Sequence, residues 1–246
     1  MLLFIILFLS LQSFSQTRFI HVYVALCHND NQGIVPVPTQ LGNGQDPDKN
    51  LYWGAMFGLR SYFKNISHDW QKIKDIEPKD PEILDAILYK HSSQDFYLLA
   101  EAYDGSKIKS CTEQFLRSSN GQGEKMIEYR SNKFMFGGNS DLVAYIGHDG
   151  LMDFSVNVKY NAPVKDIDAI VLACFSKDYF AIEFKRSGAI PVLWTTHLMA
   201  PEAYTLEAAL RAWLNNKSLK ESAAQAYNKF QKCGLKGARN LFSTGF

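Results

Sequence analysis

A histidine and a cysteine each stand at the end of a buried-strand pattern, and that pairing is the first chemistry this chain offers. Residues 141–147 (Asp-Leu-Val-Ala-Tyr-Ile-Gly) run into His148, Asp149 and Gly150, and residues 167–173 (Ile-Asp-Ala-Ile-Val-Leu-Ala) run into Cys174. A thiolate is the nucleophilic form of cysteine, and an imidazole can take its proton and later hand it to a leaving group. Together they would carry acyl transfer through a thioester. Gly147 and Gly150 permit close backbone approach around the histidine, and Asp149 could accept from the imidazole or cap a turn. A helix starting after Cys174 would set its N-terminal dipole near the sulfur. The plainer readings are a small core cysteine and a loop histidine bonded to water.

Both runs are short, rich in Val and Ile and closed by turn residues, the pattern of buried strands. A strand over 19–26 opens the chain after its first apolar segment, and others are expected over 96–103, 126–136 (a hairpin) and 189–195, with Pro191 suiting a strand start. Helical spacing is read over 51–63, after Asp80-Pro81 (Ile83, Leu84, Ile87, Leu88), around Cys111, and over 177–186 ahead of Gly188. The stripe Leu206, Ala209, Leu210, Trp213, Leu214 marks the clearest helix, and Ser218 with Glu221 forms a capping box for another. Strands alternating with helices imply an α/β fold: three layers, doubly wound, a mainly parallel sheet flanked by helices. In such sheets function gathers beyond the carboxyl ends of the strands, where His148 and Cys174 fall. The two are therefore expected to face one cleft.

One strand ending in His-Gly and a later one ending in Ala-Cys resembles the caspase-like cysteine peptidases, a group including caspases, legumains, gingipains and separases. The matching residues are His148 with Gly150, and Ala173-Cys174, within a resemblance covering residues 96–196. Asp149 intervenes between the His and the Gly, and Phe175-Ser176 follows the Cys where many members carry Gly. The resemblance implies a caspase-like fold and peptide or protein substrates. It implies Cys174 as nucleophile, His148 as acid and base, and an oxyanion hole from the amides of Gly150 and Cys174. It further implies that the loop after the first strand shapes the substrate pocket and that Trp194 and Thr195 line it. Asp30 is then the fixed charge for a basic substrate side chain. Caspase-like domains without activity also exist, so the alternative is a non-catalytic module binding a protein or glycan.

Cys27-His28 with Asp30 is a second constellation, open to three readings: structural loop, pocket wall or metal site. Adjacent Cys and His cannot easily address one ion, and no metal or cofactor is assigned. Asp104 before Gly105 reads as a turn residue, and His197 ranks second to His148 as a base. Cys111 shares an apolar helix face with Ile108 and Phe115 and reads as core. No CxxC occurs, which argues against a thioredoxin-like motif or a thiolate-rich zinc site. The pairing of Cys27, Cys111 and Cys233 and the oligomeric state stay open.

With 246 residues and 46% hydrophobic content, one domain over 16–246 is expected. Its 26 basic and 25 acidic residues lack the concentrated basic face that nucleic acid would require. There is no GxGxxG after the first strand and no P-loop. Residues 2–14 are almost wholly apolar yet short for a bilayer span, and Ser13 and Ser15 suit signal-peptidase cleavage. A signal peptide over 1–15 is expected, leaving Gln16 first in a secreted or periplasmic protein with no stable membrane span. A buried first strand or an uncleaved anchor is the other reading.

Overall fold

Runs rich in Val, Ile, Leu and Ala cannot stay in water, and here they assemble side by side. The computed structural model describes residues 17–32 and 36–246, so the expected signal segment and its cleavage site lie outside the described residues. In chain order the elements are β1 (Arg18–Ala25), α1 (Leu59–Asn65), β2 (Trp70–Ile76), β3 (Ile83–His91) and β4 (Phe96–Tyr103). Then come α2 (Ile108–Ser119), β5 (Lys125–Tyr129), β6 (Asn132–Phe136), β7 (Leu142–Ile146), β8 (Asp168–Leu172) and α3 (Ser176–Ser187). The chain closes with β9 (Ile190–Thr195), α4 (Ala203–Leu214), α5 (Leu219–Gln231), α6 (Leu235–Leu241) and the two-residue β10 (Phe242–Ser243).

An eight-stranded sheet runs in the order β10-β9-β8-β7-β1-β4-β3-β2. The five strands from β9 to β4 are parallel, while β2, β3 and β10 add antiparallel edges. The fold is thus α/β, with a mostly parallel mixed sheet flanked by helices. Alternation along β1 divides the core. Ile20, Val22 and Val24 face α1, α4, α5 and α6, whose Leu206, Leu210 and Tyr227 share that cluster. Tyr23 and Ala25 face α2 and α3, with Cys111, Phe115, Phe180 and Phe184. The β5–β6 hairpin is not part of the sheet; its Ile127, Phe134 and Phe136 cover Leu88 of β3 and Leu99 of β4. Among the described residues no helix is long and apolar enough to cross a membrane.

Two expected helices are corrected. The segment after Asp80-Pro81 is β3: Ala86, Ile87, Leu88 and Tyr89 are buried in succession because β3 is covered on both faces. A doubly buried strand loses its period of two, so its residues also fit an i, i+3, i+4 stripe. Asp80 caps a turn instead, its carboxylate accepting from the Glu82 amide at 2.9 Å. Over 51–58 the chain makes successive turns, and helix begins only at Leu59. Asn50, fully buried, holds those turns: its side chain accepts from the amides of Cys27 (3.0 Å) and Tyr52 (3.1 Å) and donates to the carbonyls of Cys27 (2.8 Å) and Asn43 (3.0 Å). β2, α6 and β10 lack a sequence signal strong enough to predict.

Candidate active site

β7 and β8 are adjacent and parallel, with Ile146 opposite Leu172, so the residues beyond the two strands emerge at the same sheet edge. Gly147 follows β7 at φ 151°, and a Cβ there would lie 2.8 Å from the Ala25 carbonyl oxygen of β1. Only glycine fits that approach, and it turns the chain into His148. His148 is 7% exposed, and its carbonyl accepts from the Tyr145 hydroxyl at 2.8 Å. Its Nε2 lies 2.5 Å from Oδ2 of Asp153, whose side chain is about half exposed (48%).

Asp149 does not meet the imidazole. It caps the short 3-10 turn Gly150–Met152, with Oδ1 accepting from the Leu151 amide at 3.0 Å. Its other oxygen is buried with no hydrogen-bond partner among the described residues. Desolvation pushes this carboxyl up to about 8; the Leu151 amide opposes the shift and the neighbouring Asp153 charge adds to it.

On the other strand, Ala173 leads to Cys174, and Phe175 turns the chain into α3 in the left-handed region at φ 50°. That conformation, free for glycine, costs an L-residue energy. The Phe175 amide donates to the His197 carbonyl at 3.1 Å, holding the turn. Thr195 secures the same turn: its hydroxyl donates to the Ala173 carbonyl and its amide donates to Ser176 Oγ at 2.9 Å. Ser176 Oγ in turn donates to the Val171 carbonyl at 3.0 Å.

His148 and Cys174 line one cavity of about 270 Å³. Gln32, Val37, Leu51 and Tyr52 enter it from the loop after β1. Residues 198–202, between β9 and α4, form another wall, and Gln231 of α5 also contributes. The Met199 amide donates to the Cys174 sulfur at 3.4 Å, and the thiol is 3.6 Å from the Met199 carbonyl it can donate to. Burial pushes the Cys174 thiol up; the Met199 amide opposes this, and the Asp149 carboxylate raises it further.

Several expected site residues stand elsewhere. Asp30 is exposed on a turn, its amide donating to His28 Nδ1 at 3.3 Å, and it does not line the cavity. Trp194 is fully buried on the α3 side, stacked on Phe184 with ring centroids 5.8 Å apart. Alternation in β9 directs it into the core and not toward the cavity, and Thr195 is consumed in the turn bonds above. Gly150 is buried beneath the Phe154 ring, outside the cavity lining, whereas Gly147 belongs to that lining. His197 is exposed and bonded through Nδ1 to the Thr196 hydroxyl at 2.8 Å.

Cys27 and His28 serve separate local bonds: the Cys27 sulfur accepts from Gln32 at 2.9 Å, and His28 Nδ1 meets Asn31 at 3.1 Å. Among the described residues no group of three or more His, Cys, Asp and Glu is placed to hold a metal ion. All four cysteines are free; Cys27 and Cys111 are buried and Cys233 is exposed.

Sequence reasoning missed Asp153, Tyr52 and the 198–202 wall. Asp153 had a local signal, an acid closing a turn five residues after His148; the walls had none. No protein-family model, no curated protein and no solved structure matches this chain.

Proposed function

We propose that this chain is a divergent caspase-like cysteine peptidase hydrolysing peptide bonds. The observation that carries the reading is a thiol and an imidazole, delivered by adjacent parallel strands, lining one cavity with the imidazole anchored by a carboxylate. With Nε2 committed to Asp153, Nδ1 is the nitrogen left to exchange a proton with the thiol. His148 takes the Cys174 proton as the sulfur attacks the substrate carbonyl carbon and a C–S bond forms. The tetrahedral adduct collapses, the C–N bond breaks, and His148 gives its proton to the departing amine. Water, deprotonated by His148, then cleaves the thioester, releasing the acid and restoring the thiol. The Cys174 amide, covalently close to the sulfur, is the natural donor to the developing oxyanion.

A second reading rests on the raised Cys174 thiol and its engagement by Met199. In that reading the same cavity binds a protein or glycan ligand without turnover. For the export of the protein, the support is the apolar segment ending at Ser15. Incubation with peptidyl acyloxymethyl ketones, followed by intact-mass analysis, separates the two functions. A peptidase gains one adduct, lost in Cys174→Ala, and cleaves a denatured protein substrate. A binding module does neither.

A further inference from the structure

The wall composition of the cavity narrows the substrate. Val37, Leu51 and Tyr52 face it from one segment, and Leu198, Met199 and Pro201 from another. Leu198 is 52% exposed, so the apolar lining continues to the rim. Among the described lining residues, Glu202 is the only ionisable acid or base besides His148, Cys174 and Tyr52. One oxygen of Glu202 already accepts from the Tyr204 hydroxyl (2.7 Å) and from Gln231 (3.0 Å). Asp30, the acid expected to select basic side chains, stands outside.

We propose that this cavity is the subsite for the residue whose carbonyl Cys174 attacks, and that it selects a large apolar side chain such as Leu, Met or Phe. The proposal rests on the peptidase reading. A cavity of about 270 Å³ exceeds the roughly 150 Å³ that accepts a benzene ring, so an aromatic side chain fits. An acidic side chain would be desolvated beside Glu202 with no Lys or Arg among the described lining residues to pair with it. A basic one would exchange hydration for a single carboxylate already shared by two donors, with only the amides of Gln32 and Gln231 beside it in an otherwise mainly apolar lining. An apolar side chain carries no such cost, and its burial is favourable in proportion to its area.

The test uses acyloxymethyl ketones that differ only in the residue next to the ketone: Leu, Phe, Arg, Asp or Gly. The rate of adduct formation at Cys174 is read by intact mass, with Cys174→Ala as the control. Leu and Phe probes are expected to react at least tenfold faster than Arg, Asp and Gly probes. Arg or Asp reacting fastest, or Leu and Phe no faster than Gly, overturns the proposal. Absence of any adduct removes the peptidase reading itself. The pocket is then decided on Cys174→Ser protein by NMR titration with N-acetylphenylalaninamide and N-acetylargininamide. Shifts at Leu51 and Met199 with the former alone uphold the apolar preference; equal or no shifts with the two overturn it.

Discussion

The Met199 backbone meets the Cys174 sulfur with both its polar groups, the amide at 3.4 Å and the carbonyl at 3.6 Å. One residue of the 198–202 wall thus satisfies the thiol as acceptor and as donor. The contact joins the end of β8 to a segment reached only after α3 and β9. It also ties the state of the sulfur to the position of that wall.

Thiol reactivity should follow this burial order. Iodoacetamide is expected to modify exposed Cys233 first and half-buried Cys174 more slowly, with Cys27 and Cys111 reacting only after unfolding. In a Cys233→Ser background the Cys174 rate should keep climbing above the usual thiol range, because burial raises its pKa. Peptide mapping across pH checks this; full reactivity at pH 6 would instead indicate a thiolate held by His148.

Asp149 makes the fold sensitive to base. Its folded-state pKa of about 8 lies above the ordinary carboxyl value, so the folded protein holds a proton that the unfolded chain has lost. Below about pH 4 both states are protonated and the residue is neutral to stability. As pH rises from about 4 through about 8, stability falls, by at most about 6 kcal/mol. Asp149→Asn keeps the acceptor for the Leu151 amide and should flatten that decline. Urea denaturation at pH 5 and pH 8.5 measures it: the variant should gain most at the higher pH.

Asp153 orients His148 through one half-exposed contact, so on the proposed peptidase reading its removal should impair turnover without unfolding the chain. Asp153→Asn is expected to lower kcat/KM about tenfold with an unchanged Tm, since a misplaced base costs rate steeply. Kinetics paired with calorimetry tests this. An equal loss in Tm and activity would assign Asp153 to folding alone.

Buried His21 and Glu101, with half-buried Lys125, clamp the β5–β6 hairpin to the sheet. The Gly137 amide donates to His21 Nδ1 at 3.1 Å, leaving Nε2–H to donate to Glu101 at 3.0 Å, and Lys125 of β5 pairs with the other Glu101 oxygen. Burial pushes His21 below its usual range and it stays neutral. Burial also pushes Glu101 up, but His21 and Lys125 outweigh it and hold the carboxyl below its usual range. Stability from Glu101 is thus present above about pH 4.5 and is lost as pH falls toward its lower folded value. Lys125→Met, which leaves that carboxylate without its ammonium partner, should cost about 3 kcal/mol at neutral pH. Denaturant titrations at several pH values should show the gap between the two proteins narrowing in acid.

What lies within a few residues was written in the sequence. The runs ending at His148 and Cys174, the strands β1, β4 and β9, the stripe of α4 and the Ser218 cap of α5 all depend on near neighbours. Cys111 on the core face of α2 belongs with them. β3 escaped because burial on both faces erased its alternation, and burial is a property of the strands beside it. The family resemblance puts Trp194 and Asp30 in the pocket, whereas core packing of β9 and a local turn at His28 direct them elsewhere. The partnership of Asp153 with His148 needed the turn at Gly150 to close before it existed. The cavity itself was decided by tertiary structure, since Leu51 and Met199 meet only when the loop pinned by Asn50 and the segment after β9 fold over the same sheet edge. Side chains that far apart in the chain have no shared local conformation, so only the packing that joins them determines the surface they make.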